Sequence, residues 1–429
     1  MQKLQWILRD LYQRRSPANI KLTLDRIINL CKKLGDPQKK FNKKTVIFTG
    51  SNGKFSNLQY LKTILHKQGF STNCYTSPET IKLNERFEIN GKLISDDDFI
   101  KYLEIIEKKS DGSETFFEIL SAIFFLISAD QNADYILCES GLGFKGDCSR
   151  IIEDPLAHII TSISQDHRNF LGDLKSIVQN KVEDLSKKTQ IIISKQSNEV
   201  LKYMDEYLKK NPSKQYYFSE DYNAAFENDT ISFTDEESLI HIKRPKYFPN
   251  FQLYNLASAI KTAKLISSKA VDPETINYAI ENAYLPARFQ VISKKNKLSE
   301  FVHEEMMLIL SASHNEGGAI ELRKSLEDLK HKGPIYFVFA MNKSKDLKAF
   351  LSQFASLVTE VKAVHFREGF YTTEEIKKCC DELGIKCSPA AKNNAATPTM
   401  QLSLQEPGPS VVCITGSIEL CGSLLALDT

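Results

Sequence analysis

The chain has 429 residues, 42% hydrophobic and 26% charged, which are ordinary values for a globular protein of two or three domains. Its 56 Lys+Arg against 54 Asp+Glu leave a net charge of +2. That balance gives no sign of the basic excess that binding to a nucleic-acid backbone needs, so no nucleic-acid partner is expected.

No feature of the sequence predicts secretion or insertion into a membrane. The most apolar stretch, residues 116–127, contains Glu118 and Ser121 and is shorter than the roughly 20 residues that cross a bilayer. It therefore predicts a buried helix or strand. The first fifteen residues are amphipathic and lack the apolar run of a signal peptide. Nine cysteines without a C-x-x-C pair favour reduced thiols, mostly in the core, of a cytoplasmic protein.

Short β-rich runs alternate with helical patterns along the first two-thirds of the chain, which predicts a mostly parallel α/β sheet. The predicted strands are 45–49, 134–139, 158–163 and 190–194, and the predicted helices are 57–68, 95–109 and 251–268. Residues 229–242 predict a hairpin, because two alternating runs flank an acidic turn.

A fresh β/α rhythm begins after Leu285-Pro286, and we place a domain boundary near residue 285. The predicted strands of this second part are 306–310, 335–340, 363–366 and 411–415. Residues 389–410 are small, polar and rich in Pro, which predicts a loop. The expected organisation is a larger domain at 1–285 and a smaller α/β domain at 286–429.

The strongest local signal is the segment Gly50-Ser51-Asn52-Gly53-Lys54, which follows a predicted strand and opens a predicted helix. Closely spaced glycines let backbone N–H groups turn around a phosphate, and Lys adds a point charge. The general pattern G-x-x-x-x-G-K-[ST] is only partly met, since two residues separate the glycines and Phe55 follows the Lys. The segment is therefore a nucleotide-binding loop, or else a plain strand-to-helix turn with an exposed Lys.

Two side chains stand just after predicted strands, where open α/β sheets bind ligands. Glu139 could hold Mg²⁺, or it could be a solvated acid at a strand end. His167 could be a ligand, although a single His is more often a structural hydrogen-bonding residue. Lys181, on the next helix, is by default a solvated Lys.

The second part of the chain has a weaker candidate in Ser311-Ala-Ser-His314-Asn315, which follows an apolar strand. Its small residues would permit close approach of a ligand, and His314 and Asn315 offer polar contacts. Arg288 could reach a nucleotide, or it could form a structural ion pair.

Taken together, these segments resemble the folylpolyglutamate synthase/dihydrofolate synthase family of the Mur ligase superfamily. The matching motifs, in family order over nearly the whole chain, are TGSNGKFS (49–56), YTSP (75–78), LNERFEINGKLIS (83–95), ESGLGFKGD (139–147), SQDHRNFLGD (164–173), LPARF (285–289), SASHN (311–315) and ITGSIEL (414–420). Each motif is modest, and their collinearity makes the resemblance specific.

The resemblance implies a P-loop-containing, mostly parallel sheet domain followed by a smaller, Rossmann-like α/β ligase domain. It implies an ATP-dependent, Mg²⁺-requiring ligase that phosphorylates a carboxylate of dihydropteroate or a reduced folate and joins it to L-glutamate. A monomer that binds only small molecules, in the cytoplasm, is the family's usual form. Site residues carried over by this resemblance are Gly50, Ser51, Asn52, Gly53, Lys54, Ser56, Asn255, Arg288, Ser311 and His314 for the nucleotide, Ser77, Glu139 and His167 for Mg²⁺, and Lys54, Lys181 and His314 for catalysis.

The sequence also departs from the family pattern. Phe55 stands where GTNGKGS has Gly, and Ser311 stands where DGAHNP has Asp. Lys181 matches a lysine that is carbamylated in the family. Two interpretations follow: a divergent but working ligase, or a relative that keeps the fold and has lost some of its catalysis.

Overall fold

The computed structural model describes residues 2–15, 23–166, 168–389 and 408–427. Contacts between residues divide the chain into two compact units. The first comprises Met1–Ile163, Asp173–Pro245 and Gln252–Ala283, and the second comprises Ser164–Gly172, Lys246–Phe251 and Tyr284–Thr429. The domain boundary near residue 285 stays a prediction.

The first unit is built on an eight-stranded, mostly parallel sheet. Its strands are β1 (Thr45–Thr49), β2 (Thr72–Tyr75), β3 (Phe87–Ile89), β4 (Lys92–Leu93), β5 (Tyr135–Glu139), β6 (Ala157–Ile160), β7 (Gln190–Ile193) and β8 (Lys214–Tyr217). They lie in the order β4-β3-β2-β5-β1-β6-β7-β8, with antiparallel pairing at β2–β3 and β3–β4. Strands β1 and β5 are buried along their whole length, which explains why they read as continuous apolar runs.

Helices flank this sheet, and several of them start at a residue whose side chain caps the first turn. The helices are α1 (Gln2–Arg15), α2 (Asp25–Lys33), α3 (Lys54–Lys67), α4 (Asp96–Glu107), α5 (Phe116–Asp130), α6 (Arg168–Leu171, in the second unit), α7 (Leu174–Val182), α8 (Asn198–Leu208), α9 (Asn250–Ile266) and α10 (Pro273–Asn282), with 3₁₀ turns at Pro37–Phe41, Leu83–Arg86 and Cys148–Ile151. Thr115 and Glu118 form a reciprocal capping box that starts α5, so the apolar stretch is a buried helix.

A smaller antiparallel sheet confirms the predicted hairpin and adds a strand to it. It consists of β9 (Tyr222–Glu227), β10 (Thr230–Asp235) and β11 (Leu239–Lys243), with β10 in the middle. The acidic turn is fixed to α9, because Asp235 accepts from Lys264 at 2.7 Å and from Lys261 at 3.3 Å.

The second unit holds a six-stranded sheet in the order β12-β13-β17-β14-β15-β16. Its elements are β12 (Arg288–Val291), β13 (Met306–Ser311), α11 (Glu316–Glu327), β14 (Ile335–Phe339), α12 (Leu347–Ser352), β15 (Glu360–Ala363), α13 (Thr373–Glu382), β16 (Cys387–Pro389), β17 (Ser410–Thr415) and α14 (Ile418–Leu425), with 3₁₀ turns at Lys297–Phe301 and Lys330–Lys332. Only the β12–β13 pair, among the strand pairs described, is antiparallel in this sheet.

Two predicted strands are wrong in position or extent. The strand predicted at 363–366 lies instead at Glu360–Ala363. Its start was missed because Glu360 and Lys362 are charged residues, which are uncommon in a buried strand. Their side chains pair with each other at 2.8 Å. The strand predicted at 158–163 ends at Ile160, since the carbonyl of Ser162 instead accepts from two amides of the 50–53 turn. Most of the loop predicted at 389–410 lies outside the described residues.

The cysteines agree with the prediction of thiols that lie mostly in the core. All nine cysteines are free thiols, and each is buried except Cys387, which is half-buried. Within the described part of the chain, no helix is both long enough and apolar enough to cross a bilayer.

His158 in β6 makes stability depend on pH. Its side chain is fully buried against the ring of Phe144, and burial lowers its pKa to about 3. Because the unfolded chain takes up this proton near the ordinary His value, stability is full above about pH 6.5 and falls as the pH drops toward 3.

We expect this residue to cost roughly 2–3 kcal/mol of unfolding free energy between about pH 6 and pH 4. His158→Leu should flatten that part of a urea-unfolding profile, whereas the same change at exposed His331 should leave it unaltered. An equal slope in wild-type and H158L protein would contradict the assignment.

Candidate active site

The turn between β1 and α3 has a backbone that only glycine fits at two positions. Gly50 has φ +144° and Gly53 has φ +93°, and a Cβ added to Gly50 would lie 2.0 Å from Thr161 Oγ1. At Gly53 it would lie 2.4 Å from Asn255 Oδ1, which places Asn255 of α9 directly against the turn. Helix α3 then begins at Lys54 without a side-chain cap, so its positive end faces the turn.

Two lysines converge on one carbonyl oxygen of this turn. Lys54 Nζ donates to Gly50 O at 3.2 Å, and Lys181 Nζ donates to the same oxygen at 2.9 Å. Lys181 is buried, although the sequence suggested a solvated residue by default. Two ammonium groups and a helix N-terminus make this turn strongly electropositive, as binding of a triphosphate requires.

Glu139 supplies the negative charge beside these lysines. It lies buried at the carboxyl end of β5, 3.8 Å from Lys54 Nζ, and its Oε2 accepts from the backbone N–H of Ser77 at 3.2 Å. The solvated strand-end acid is therefore excluded as a description of Glu139.

The donor set fits Mg²⁺ in part. A carboxylate from Glu139 and a hydroxyl from Ser77 are the hard oxygen ligands that Mg²⁺ prefers. The described residues contain no group of three or more His, Cys, Asp and Glu side chains that could hold a metal by themselves. His167, the third predicted ligand, lies outside them, so its role stays a prediction.

The residues of the turn that are predicted to bind the nucleotide fit a phosphate in part. The N–H groups of Ser51 and Asn52 donate to Ser162 O at 2.8 and 3.1 Å, so both are engaged by the protein itself. Lys54 and the uncapped start of α3 are the groups that fit a phosphate best. Ser56 is buried in the first turn of α3, and Phe55 is only partly buried.

The second unit gathers the remaining predicted residues at the carboxyl end of β13. Arg288 lies opposite Ser311 in the β12–β13 register, and Ser311 Oγ lies 3.0 Å from Ser313 Oγ. His314 Nδ1 lies 2.8 Å from the carbonyl oxygen of Ala312. Burial, with the positive charge of Lys345 second, lowers the pKa of His314 to about 4.

An ion pair beside His314 was missed by the sequence analysis. Asp166 Oδ1 accepts from Lys345 Nζ at 2.7 Å, and its Oδ2 accepts from Asn315 Nδ2 at 3.0 Å. Both charged side chains are largely buried, 6% and 14% exposed. The available signal was weak: each charged residue lies shortly after a predicted strand.

Asp147 is a second missed residue, and it shapes the loop that follows Glu139. Its buried carboxylate accepts from the N–H groups of Gly141, Leu142 and Ser149 and from the Ser149 hydroxyl, at 2.7–3.1 Å. The motif ESGLGFKGD contained it, but composition alone could not show that it closes the loop.

A mostly parallel sheet with an electropositive glycine turn at the start of a helix is typical of nucleotide-binding α/β proteins. The Mur ligase middle domain matches residues 48–263, just over half of the chain, and the chain belongs to the Mur ligase family. Residues 294–427 match the dihydrofolate synthetase C-terminal domain, so the resemblance inferred from the motifs is confirmed.

Known relatives and solved structures are similar to this chain over most of its length. The dihydrofolate synthase/folylpolyglutamate synthase of Bacillus subtilis is 27% identical over 371 residues, covering 82% of each chain. The structure of E. coli FolC in complex with DHPP and ADP superposes with a TM-score of 0.86 at 21% identity, over 99% of this chain and 97% of that one. The bifunctional enzyme of Yersinia pestis, complexed with AMPPNP and Mn ion, gives 0.84 at 22%, over 99% and 97%. These likenesses confirm the predicted fold class.

Proposed function

We propose that the protein is an ATP-dependent ligase of folate metabolism that joins L-glutamate to a carboxylate of dihydropteroate or a folate. The observation that carries the proposal is the convergence of Lys54 and Lys181 on Gly50, at an uncapped helix start and beside the buried Glu139. Family membership then selects amide ligation from the reactions that such a turn could serve.

The chemistry requires positioning and charge neutralisation more than covalent participation by the protein. The substrate carboxylate attacks the γ-phosphate of ATP to give an acyl phosphate and ADP. The amine of glutamate then attacks the acyl carbon, so that the amide forms and phosphate leaves. Bound Mg²⁺ would offset phosphate charge near Glu139 and Ser77. Lys54 holds the phosphates through a point charge, and Asn255 keeps the glycine turn in shape.

Lys181 is a candidate for a second role. Its amine is buried and donates to Gly50 O, so it is held within the turn. Carbamylation would convert this cation to an anion with oxygen donors, as in the family it resembles. Arg288, Ser311 and His314 are the residues of the second unit that we assign to substrate contacts.

We also propose that the protein works as a monomer in the cytoplasm, on small molecules alone. Nine free thiols support a reducing compartment. The first domain would span 1–285 and the second 286–429.

A coupled assay of ADP release tests the proposed activity. ATP, Mg²⁺ and L-glutamate would be supplied with dihydropteroate and, separately, with tetrahydrofolate. We expect release that requires both glutamate and one of the acceptors, and the preferred acceptor names the activity. Release that is independent of either substrate would refute a folate ligase.

Phe55 and Ser311 favour a second candidate, a catalytically impaired relative that binds ATP or folate. Phe55 is the second residue of α3, next to Lys54, and Ser311 carries a hydroxyl where the family has a carboxylate. A binding protein of this kind would be folded, would bind ATP, and would release no ADP.

The double variant Phe55→Gly/Ser311→Asp separates the two candidates. For a working ligase we expect kcat to change by less than about tenfold, since Lys54, Glu139 and Lys181 are intact. The impaired relative instead predicts a silent wild type and measurable turnover in the variant. Phe55→Ala alone serves as the control for simple removal of the ring.

A further inference from the structure

Two thiols of the second unit meet where α13 packs against β16. Cys380 lies near the end of α13, and Cys387 is the first residue of β16. The chain turns back between them, since the N–H groups of Leu383 and Ile385 both donate to the carbonyl oxygen of Cys380, at 3.0 and 2.9 Å. This helix-ending turn brings the two side chains into contact, and the Cys380 thiol donates a hydrogen bond to the Cys387 sulfur.

The two thiols differ in their access to solvent. Cys380 is fully buried in the apolar core of the second unit, whereas Cys387 is half-buried and packs against that core from the edge of the sheet. In the described part of this sheet β16 is the last strand, and it pairs with β15 alone, through Cys387 opposite Val361. A small oxidant dissolved in water can therefore reach Cys387 directly, and it cannot reach Cys380.

The surroundings of Cys387 favour its thiolate form. The hydrogen bond from Cys380 and, after it, the charge of Lys377 lower the pKa of Cys387, against burial and the charges of Asp381 and Glu360. Burial raises the pKa of seven of the other thiols, and in Cys380 the same hydrogen bond raises it first and burial second. Because the thiolate is the nucleophile, Cys387 combines access with reactivity.

Cys379 is adjacent in the sequence but does not belong to this pair. Consecutive residues of a helix do not face each other, so Cys379 and Cys380 point in different directions from α13. The charges closest to Cys379 are those of Glu382, Lys348 and Asp346, and Lys348 and Asp346 belong to α12 and its N-cap. Cys379 is therefore a control that the chain itself provides.

We propose that Cys380 and Cys387 are a site of reversible oxidation by hydrogen peroxide. The inference is independent of the proposed ligase activity. The Cys387 sulfur attacks one peroxide oxygen, so that an S–O bond forms, the O–O bond breaks, and the thiol proton leaves with the other oxygen as water. The Cys380 sulfur then attacks the resulting sulfenic acid. The S–S bond forms, the S–O bond breaks, and the Cys380 proton leaves in a second water, so two thiols lose two electrons and one peroxide gains them.

The product would fasten the edge strand β16 to α13. The sulfurs already interact, so closing the bond to about 2.05 Å requires only a local shift of a three-residue strand at the sheet edge. A thiol reductant would reopen the bond by exchange. In a reducing compartment the disulfide would therefore persist only while the oxidant is present, as disulfides that sense oxidation do.

Peptide mapping tests the pair in wild-type protein. Folded protein would be treated with a small excess of hydrogen peroxide, blocked with iodoacetamide and digested with trypsin, which separates the two cysteines because Lys386 lies between them. We expect one cross-link, between peptides 379–386 and 387–392, with the loss of two hydrogens and full reversal by dithiothreitol. Before oxidation, iodoacetamide should alkylate Cys387 at least about tenfold faster than any other cysteine of the folded protein.

Three variants assign the two roles. Cys379→Ser is the matched control and should form the cross-link as wild type does. Cys380→Ser keeps a donor to the Cys387 sulfur but cannot form a disulfide, so oxidation should stop at a Cys387 sulfenic acid that dimedone labels. Cys387→Ser should leave Cys380 unoxidised. Unfolding temperatures identify any variant that does not fold, and the wild-type cross-link decides the question in that case.

Several results would overturn the proposal. One is a cross-link through Cys379 in place of Cys380, and another is a disulfide that joins two separate chains. Oxidation of wild-type Cys387 to a sulfinic acid without any cross-link would show that Cys380 does not resolve the first product. Oxidation that requires urea would show that the thiols react only in the unfolded chain.

Discussion

Lys54→Ala is expected to lower acceptor-dependent ADP release by about 10²–10³-fold or more. The Lys54 ammonium reaches Gly50 O at 3.2 Å and Glu139 at 3.8 Å, so it is held where phosphate charge must be offset. Alanine has no group that could replace it, and the negative charge of Glu139 would then repel the nucleotide. The loss should appear in kcat and in nucleotide affinity together.

Lys62→Ala is the matched control for this variant. Lys62 lies on the same helix, α3, and its ammonium pairs with Glu88 at 2.7 Å. Its removal costs stability at most, so ADP release should stay within about twofold of wild type. If Lys54→Ala were as active as Lys62→Ala, the glycine turn would not be the phosphate site.

Asp147→Asn is expected to lower the free energy of unfolding by about 3 kcal/mol and to reduce activity with it. The Asp147 carboxylate accepts four hydrogen bonds inside the protein, and an amide group must turn one donor toward N–H groups that are donors themselves. The loop that follows Glu139 would then lose its closure. Urea unfolding followed by circular dichroism measures the change.

Asp173→Asn is the control for Asp147→Asn, because it makes the same exchange of side chain at an exposed position. Exposed Asp173 caps α7 by accepting from Ser176 N–H at 2.9 Å, and Asn caps nearly as well. This control should change the unfolding free energy by less than about 0.5 kcal/mol. Two variants of equal stability would mean that the Asp147 hydrogen bonds contribute little.

The glycine turn is the part of the candidate site whose local structure the sequence predicts best. A strand, two glycines and a Lys in close succession predict a tight turn into a helix from local conformational preferences alone. The structure has this turn between β1 and α3. Asn255 differs, because it contacts Gly53 across more than 200 positions of chain and no local pattern encodes that contact. Only resemblance to a family could nominate it.

Pairs of side chains that lie far apart in the sequence could not be predicted either. Asp166 and Lys345 are 179 positions apart, and each looks like an ordinary charged residue in its own segment. Strand β15 was misplaced for a related reason, since its charged side chains are satisfied by one another and hide its burial. The location of His167 and the ligands of a metal stay predictions.

The position of β17 in the sheet affects how the second unit folds while the chain is being synthesised. It lies between β13 and β14 and pairs with both, yet it follows β14 by about 70 residues in the chain. At a translation rate of about 5–20 residues per second, the edge of β14 waits roughly 4–14 seconds for its partner, and the edge of β13, about 100 residues before β17, waits roughly 5–20 seconds. For that interval two apolar strand edges are open to other nascent chains, so the risk of aggregation in the second unit is set by ribosome speed and chaperone supply.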